Sequence, residues 1–182
     1  MSGLGPSEVH TVTIPVDHSQ FTIFDVFGDD HYSDLALPGP DWLVVAGPGG
    51  ALFHASDRAL SAEVTLEIWP CAPGEPPDSA EDCVFHTTNG RVMIACINAS
   101  PSDKTIPLPE PGDYGLRASR IASHNIAEDG DPDVYQEVWN VKIWPRGRLE
   151  RKKRPASELP EAGRVHSLRR HQGRSTAPPA TV

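Results

Sequence analysis

About nine short runs of β-branched and aromatic residues follow one another along the chain, and glycine, proline or asparagine bounds each of them. In residues 62–69, Val, Leu and Ile alternate with Glu, Thr and Glu, which is the pattern of a strand with one buried and one solvated face. Helical periodicity is almost absent, and the one helix candidate is a single turn at 57–62. The sequence therefore predicts an all-β protein, with the architecture of a mostly antiparallel β-sandwich.

Glycine and proline mark the turns between these runs. The chain has 19 prolines and 15 glycines, and they cluster between apolar runs at 38–50, 70–77 and 107–115. The segment Gly47-Pro-Gly-Gly50 predicts a first hairpin. The dipeptide Asn89-Gly90 predicts a second hairpin, because Asn-Gly is a preferred two-residue turn between antiparallel strands.

The charge divides the chain into two parts. Residues 1–145 carry 22 Asp and Glu against 6 Lys and Arg, a balance of −16, and residues 146–182 carry 3 against 10, a balance of +7. The first part is long enough to bury a core. The second has too few large aliphatic side chains to offset its conformational entropy. We predict an acidic β-sandwich domain at 1–145 and a basic, disordered tail at 146–182.

The basic residues of the tail concentrate at its start, in a cluster formed by Arg146, Arg148, Arg151, Lys152, Lys153 and Arg154. Such a cluster is typical of a nucleic-acid or membrane-surface patch. No aromatic residue is interleaved, so base stacking is not indicated. A solubilising tail, or one that folds back on the acidic body, is the alternative. Any contact with nucleic acid is therefore expected only through this tail.

Two further features bear on the compartment. No apolar run approaches 18 residues, and the first residues contain neither a basic nor an apolar signal region, so we expect a cytoplasmic protein with no membrane contact. The three cysteines, Cys71, Cys83 and Cys96, lack the spacing of a metal site. Free thiols and a Cys71–Cys83 bridge that pins the intervening loop remain alternatives.

Catalytic motifs are missing from the sequence. No phosphate-binding loop, nucleophile elbow, Cys-x-x-Cys or His-Glu-x-x-His occurs. The sequence thus predicts no catalytic residue, no metal ligand and no cofactor, and a protein that is not an enzyme.

Two acidic segments are the candidates for binding a partner, and they contain Asp29, Asp30 and Asp34 in the first and Glu128, Asp129, Asp131 and Asp133 in the second. Both have residue types that ligate metals, but neither has the spacing of a known metal loop, and solvated loops are commonly polar. An enzyme or a metal-dependent ligand-binding module would have to bring Asp29, Asp30 and His31, or the loop at 128–133, together with a distant histidine in one concave site.

The order of several segments resembles one small bacterial family, the competence protein ComJ, also called Nin. The matching segments, dispersed over about residues 10–145, are Asp17–Phe24, a strand ending at Trp69, Cys83–Gly90, Leu108–Leu116 and Val134–Val141. The basic tail and the acidic loop at 128–133 depart from the family pattern. Members of this family inhibit the DNA-entry nuclease, so the resemblance implies a nuclease as the partner.

The resemblance and the charge indicate the same function. A nuclease holds phosphates in a positive cleft, and the carboxylates of an acidic body can occupy such a cleft in place of DNA. The leading hypothesis is a non-enzymatic inhibitor or binding protein that engages a basic protein through an acidic surface. The alternatives are the β-sandwich enzyme or metal-dependent module described above, and a scaffold whose tail contacts nucleic acid.

Overall fold

The computed structural model describes residues 5–39, 41–56, 59–125 and 135–147. The strands in these ranges are β1 Glu8–Pro15, β2 Gln20–Asp25, β3 Val44–Gly47, β4 Gly50–His54, β5 Ala59–Ile68, β6 Ala80–Thr87, β7 Arg91–Cys96, β8 Lys104–Pro107, β9 Gly112–Asn125 and β10 Tyr135–Pro145. A 3-10 turn, Tyr32–Asp34, lies between β2 and β3.

The strands form two five-stranded sheets. The first has the order β1-β5-β10-β9-β6 and the second the order β3-β4-β2-β7-β8. Neighbouring strands run antiparallel, apart from β5 and β10, which pair in parallel. A single buried cluster draws side chains from both sheets, which therefore pack face to face. The predicted all-β, mostly antiparallel sandwich is confirmed.

Aromatic rings fill the centre of this core. Phe21 of β2 stacks on Phe53 of β4 with the ring centroids 4.7 Å apart, and the ring of Trp139 from the opposite sheet meets Phe21 edge-on at 5.2 Å. Phe85 and Tyr114 make a second pair at 5.7 Å. All five side chains are buried. Such ring pairs add about 0.5–1.5 kcal/mol each to the burial of their apolar area.

The alternating run at 62–69 forms a strand, as predicted, and lies in β5 as far as Ile68. Val64, Leu66 and Ile68 are buried, and the residues between them are partly exposed. The predicted helical turn at 57–62 is wrong where the structure describes it, because β5 begins at Ala59. Ala59 and Ala62 belong to the buried core, and this burial favours extended backbone paired with β1 and β10.

The first predicted hairpin is confirmed and the second is wrong. β3 and β4 pair around the glycine turn. β6 and β7, however, belong to different sheets, so Asn89-Gly90 connects the two layers. The buried Asp25 carboxylate holds this connection, since it accepts hydrogen bonds from the Thr87 hydroxyl at 3.2 Å and from the Thr88 backbone N–H at 2.6 Å.

At one side of the sandwich the edge strands β3 and β6 are joined. One carboxylate oxygen of Glu81 accepts hydrogen bonds from the backbone N–H groups of Leu43, at 3.3 Å, and Val44, at 3.2 Å. An isolated parallel bridge links Pro48 to His86 farther along the same two edges. These contacts fix the relative position of the two sheet edges.

Cys71 is exposed, Cys83 half-buried and Cys96 buried, and all three are free thiols, so the alternative of a Cys71–Cys83 bridge is not found. Among the described residues, no helix has both the length and the apolar character needed to cross a bilayer.

The acidic residues predicted at 128–133 and the tail from Arg148 onward lie outside the described residues. Arg146 is exposed, and its backbone N–H donates to the carbonyl oxygen of Asp113 at 2.9 Å.

Candidate functional site

The first acidic segment follows β2 on the surface. Asp29, Asp30 and Asp34 are all exposed. The nearby Asp25 carboxylate faces inward, and a Cβ atom on Gly28 would lie only 2.7 Å from its Oδ2, so the chain passes close to the carboxylate. The segment is thus held at its start, and it presents its three carboxylates to solvent.

The turn within this segment is ordered by short-range contacts. The His31 Nδ1 accepts the Ser33 backbone N–H at 3.2 Å, which caps the 3-10 turn. The Tyr32 ring lies against Phe24 of β2 with the centroids 5.6 Å apart, and burial raises the pKa of the Tyr32 hydroxyl. None of these contacts joins the segment to a distant histidine.

A second acidic region, which the sequence did not indicate, surrounds an open cleft of about 590 Å³. Three stretches line it: the residues before β3, those after β4, and the start of β6. The lining includes three carboxylates, an indole, an imidazole and a guanidinium, which belong to Asp41, Asp78, Glu81, Trp42, His54 and Arg120. Asp29, Asp30 and Asp34 are not among the lining residues.

The aromatic wall of the cleft is built by Trp42 and His54. Their rings stack with centroids 4.8 Å apart and an angle of 15° between the planes. The His54 Nδ1 also lies 3.2 Å from the Trp42 carbonyl oxygen, so donation from this nitrogen orients the imidazole. The stack thereby fixes the Trp42 indole in the lining of the cleft, which also contains the three carboxylates.

A buried acid secures Arg120, the guanidinium of the lining. The Glu137 side chain is 1% exposed, and its Oε1 accepts hydrogen bonds from Arg120 Nη1 and from the Ser56 backbone N–H, both at 3.0 Å. Its Oε2 accepts the Trp139 indole N–H at 3.0 Å. The positive charge of Arg120 is therefore already compensated within the chain.

Three of the four tryptophans share one arrangement, in which a cation lies over the ring and also contacts a carboxylate. The cation-to-centroid distances are 5.7 Å for Arg117 over Trp144, 5.9 Å for Arg120 over Trp139 and 5.2 Å for Lys142 over Trp69. The carboxylates belong respectively to Asp82, Glu137 and Glu67. Among the described residues, Trp42 has no such cation over its ring.

Two histidines elsewhere form pairs with carboxylates across or along strands. His86 Nδ1 lies 2.7 Å from Asp113 Oδ1 on the neighbouring strand, and His10 Nε2 lies 2.9 Å from Glu8 Oε1. Both pairs fit ordinary strand-face contacts. Within the described ranges, no group of three His, Cys, Asp or Glu side chains is arranged to hold a metal ion.

No family model and no curated protein matches the sequence. Two solved structures match the fold. The chain is similar to ComJ. The crystal structure of ComJ from Bacillus subtilis, an inhibitor of the DNA-degrading activity of NucA, matches 78% of this chain and 98% of its own, with 20% identity and a TM-score of 0.44. The product of crocagin biosynthetic gene J matches 76% of this chain and 97% of its own, with 14% identity and a TM-score of 0.49. ComJ is also the family that the segments between residues 10 and 145 resemble in sequence.

Proposed function

We propose that this protein is a non-enzymatic inhibitor that binds a basic partner through exposed carboxylates, and that the partner is a DNA-degrading nuclease. One observation carries the proposal, namely the balance of −16 over residues 1–145. Cations at three positions of the first sheet are already occupied by carboxylates of the same chain. The carboxylates of the segment at 29–34 stay exposed and face solvent.

The mechanism follows from the charge of a nuclease cleft. Such a cleft holds phosphates with Lys and Arg, and a row of carboxylates supplies the same negative charge to the same cations. A strongly acidic body also accelerates encounter with a basic partner at low ionic strength. Occupation of the cleft would exclude DNA without any chemistry by the inhibitor.

The class of partner comes from the resemblance to the ComJ family. ComJ itself inhibits the DNA-degrading activity of NucA. For this chain we infer a nuclease of the same cell, and we propose that the acidic loop at 128–133 contributes carboxylates to binding in addition to Asp29, Asp30 and Asp34. Nucleic acid is proposed to contact only the tail.

The test measures DNA cleavage by the DNA-degrading nucleases of the same cell while the full chain is titrated in at low salt. We expect one nuclease to lose activity at a stoichiometric amount of the chain, and inhibition to weaken steeply as ionic strength rises. The variant D29N/D30N/D34N should weaken inhibition about tenfold, which corresponds to roughly 1.4 kcal/mol. Full activity of every such nuclease at excess chain would reject the proposal.

A matched control separates the surface from the total charge. The variant E8Q/E63Q/E110Q removes the same number of charges at positions outside the segment at 29–34. When both variants are compared at 0.1 M salt, inhibition by this control is expected to stay within about threefold of wild type, since general steering is then screened over roughly 10 Å. Equal weakening by both variants would show that net charge, and not this segment, determines binding.

A further inference from the structure

We propose that the cleft beside Trp42 is a binding site for an arginine side chain, presented by the basic partner. This inference rests on the proposed function for the source of the arginine, but the site itself is defined by the chain alone. Its evidence is the repeated arrangement of tryptophan, carboxylate and cation, which is complete at three rings and lacks its cation at the fourth among the described residues.

The chemistry of the lining selects a cation. An indole face attracts a guanidinium or an ammonium through its quadrupole. The carboxylates of Asp41 and Asp78 line the same cleft. Glu81 adds a third negative charge, although one of its oxygens is engaged by two backbone N–H groups. Arg120 lines the same cleft, but its guanidinium is already paired with the buried Glu137 carboxylate.

Arginine fits this lining better than lysine. A guanidinium is planar, so it stacks on an indole while its edge donates to carboxylates, whereas an ammonium is a compact and strongly hydrated charge. The chain provides an example in Arg117, which donates through Nε and Nη2 to the two oxygens of Asp82, at 2.6 and 2.8 Å, and lies over Trp144. A cleft of about 590 Å³ has room for a guanidinium with its aliphatic stem.

The walls of the cleft are fixed before a ligand arrives. Glu81 connects the start of β3 to β6, and the His54 imidazole stacks on Trp42. The Ser56 backbone is held by the buried Glu137. A preorganised site loses little side-chain entropy on binding, which favours measurable affinity even for a single side chain.

The test uses the ¹⁵N-labelled full chain and two small probes, Nα-acetyl-L-arginine amide and Nα-acetyl-L-citrulline amide. The probes have nearly the same shape, and citrulline carries no charge. We expect the arginine probe to shift the Trp42 indole N–H resonance, assigned by its loss in W42F, with a saturable curve at millimolar concentration. The citrulline probe should bind at least tenfold more weakly, and the lysine analogue about threefold more weakly than arginine.

Two variants locate the site. D41N/D78N should weaken binding of the arginine probe about tenfold, because both carboxylates offered to the guanidinium lose their charge. E63Q/E110Q removes the same charge away from the cleft and should change binding by less than twofold. The dispersion of the amide spectrum shows whether each variant is folded. Equal response to both probes, or equal weakening by both variants, overturns the proposal.

A cation of this chain is the competing occupant. Arg58 follows Ser56 by two positions in the sequence and lies outside the described residues, so R58Q is titrated in parallel. Binding that occurs in R58Q and not in the wild-type chain would assign the cleft to Arg58 and overturn the proposal. If arginine binds as expected but no nuclease is inhibited, the proposed function fails and the site remains; if a nuclease is inhibited without arginine binding, only the site fails.

Discussion

Glu137 is the buried acid whose removal should destabilise the fold most clearly. Its carboxylate accepts three hydrogen bonds, from Ser56, Arg120 and the Trp139 indole, all at 3.0 Å. In Glu137→Ala the consequences differ among the three donors. The Arg120 side chain is 41% exposed and recovers water, and the Ser56 backbone is half-buried. Trp139 is fully buried, so its N–H is left without an acceptor.

The magnitude follows from these differences. A buried donor without a partner costs about 1–3 kcal/mol, and the lost packing of the Glu137 Cγ methylene adds about 1 kcal/mol. We expect Glu137→Ala to lower the free energy of unfolding by about 3 kcal/mol. Glu137→Gln keeps the methylenes and one acceptor oxygen, and should lower it by about half as much.

Urea unfolding of the full chain, followed by tryptophan fluorescence, measures this change through the midpoint at constant slope. The control is Glu63→Ala on β5, whose side chain lies on the solvated face and should change stability by less than about 0.5 kcal/mol. A loss below about 1 kcal/mol for Glu137→Ala would refute the reasoning, because the Trp139 N–H would then have found another acceptor or water.

Three further predictions concern the backbone and the thiols. Gly115→Ala should destabilise by about 1–3 kcal/mol in urea unfolding, because its Cβ would overlap the indole of Trp144; unchanged stability would contradict this packing. Phe27 is 80% exposed and has a φ of 150°, a backbone conformation that is strained for a residue with a side chain. Phe27→Gly should therefore leave the free energy of unfolding unchanged or raise it by up to about 1 kcal/mol, and a clear decrease would contradict this strain. Burial raises the pKa of the Cys83 thiol to about 12, whereas Cys71 is exposed. At pH 8 a thiol reagent should therefore modify Cys71 rapidly, and Cys83 only on unfolding or as the pH rises toward 12; equal rates of modification at pH 8 would contradict the burial of Cys83.

Local sequence predicts the strands of this fold well and their partners less well. β5 is recognised from its alternation alone, because each apolar side chain points into the core. The Asn89-Gly90 turn has ideal hairpin chemistry, yet β6 pairs with β9 and β7 with β2. The deciding contact is the Asp25 carboxylate, which bonds Thr87 and Thr88 across more than 60 residues of sequence. A contact of that span leaves no local pattern.

The parallel pairing of β5 with β10 is a second case. Both strands have the sequences of half-buried strands, and in each of them buried residues alternate with partly exposed ones, as antiparallel sheets commonly show. The order of the sheet is set by where β1 and β9 pack on either side of them. Which strands become neighbours, and in which direction, therefore depends on the packing of the whole core and is not encoded within either strand.

For the candidate site, too, local features could be predicted from the sequence, whereas contacts between distant segments could not. The exposure of Asp29, Asp30 and Asp34 could be predicted, because a polar run after a strand favours a surface loop. The cleft could not, since its lining comes from three separate stretches and from Arg120 on β9. The one local signal is the Asp41-Trp42 pair immediately before an apolar strand. A carboxylate next to an indole is a common way to hold a cation, but it becomes informative only when further carboxylates converge on it.

The two joined sheet edges also bear on how a partner can bind. An exposed edge strand offers free backbone N–H groups to another strand, and pairing of that kind needs no charge. At β3 the Glu81 carboxylate already accepts the N–H groups of Leu43 and Val44, so this edge is covered at the mouth of the cleft. A partner that approaches here meets side chains and not free backbone. If the proposed partner binds at this edge, we expect its binding to depend on charge and on aromatic surface. Such binding should weaken with salt, whereas backbone pairing would be nearly insensitive to salt.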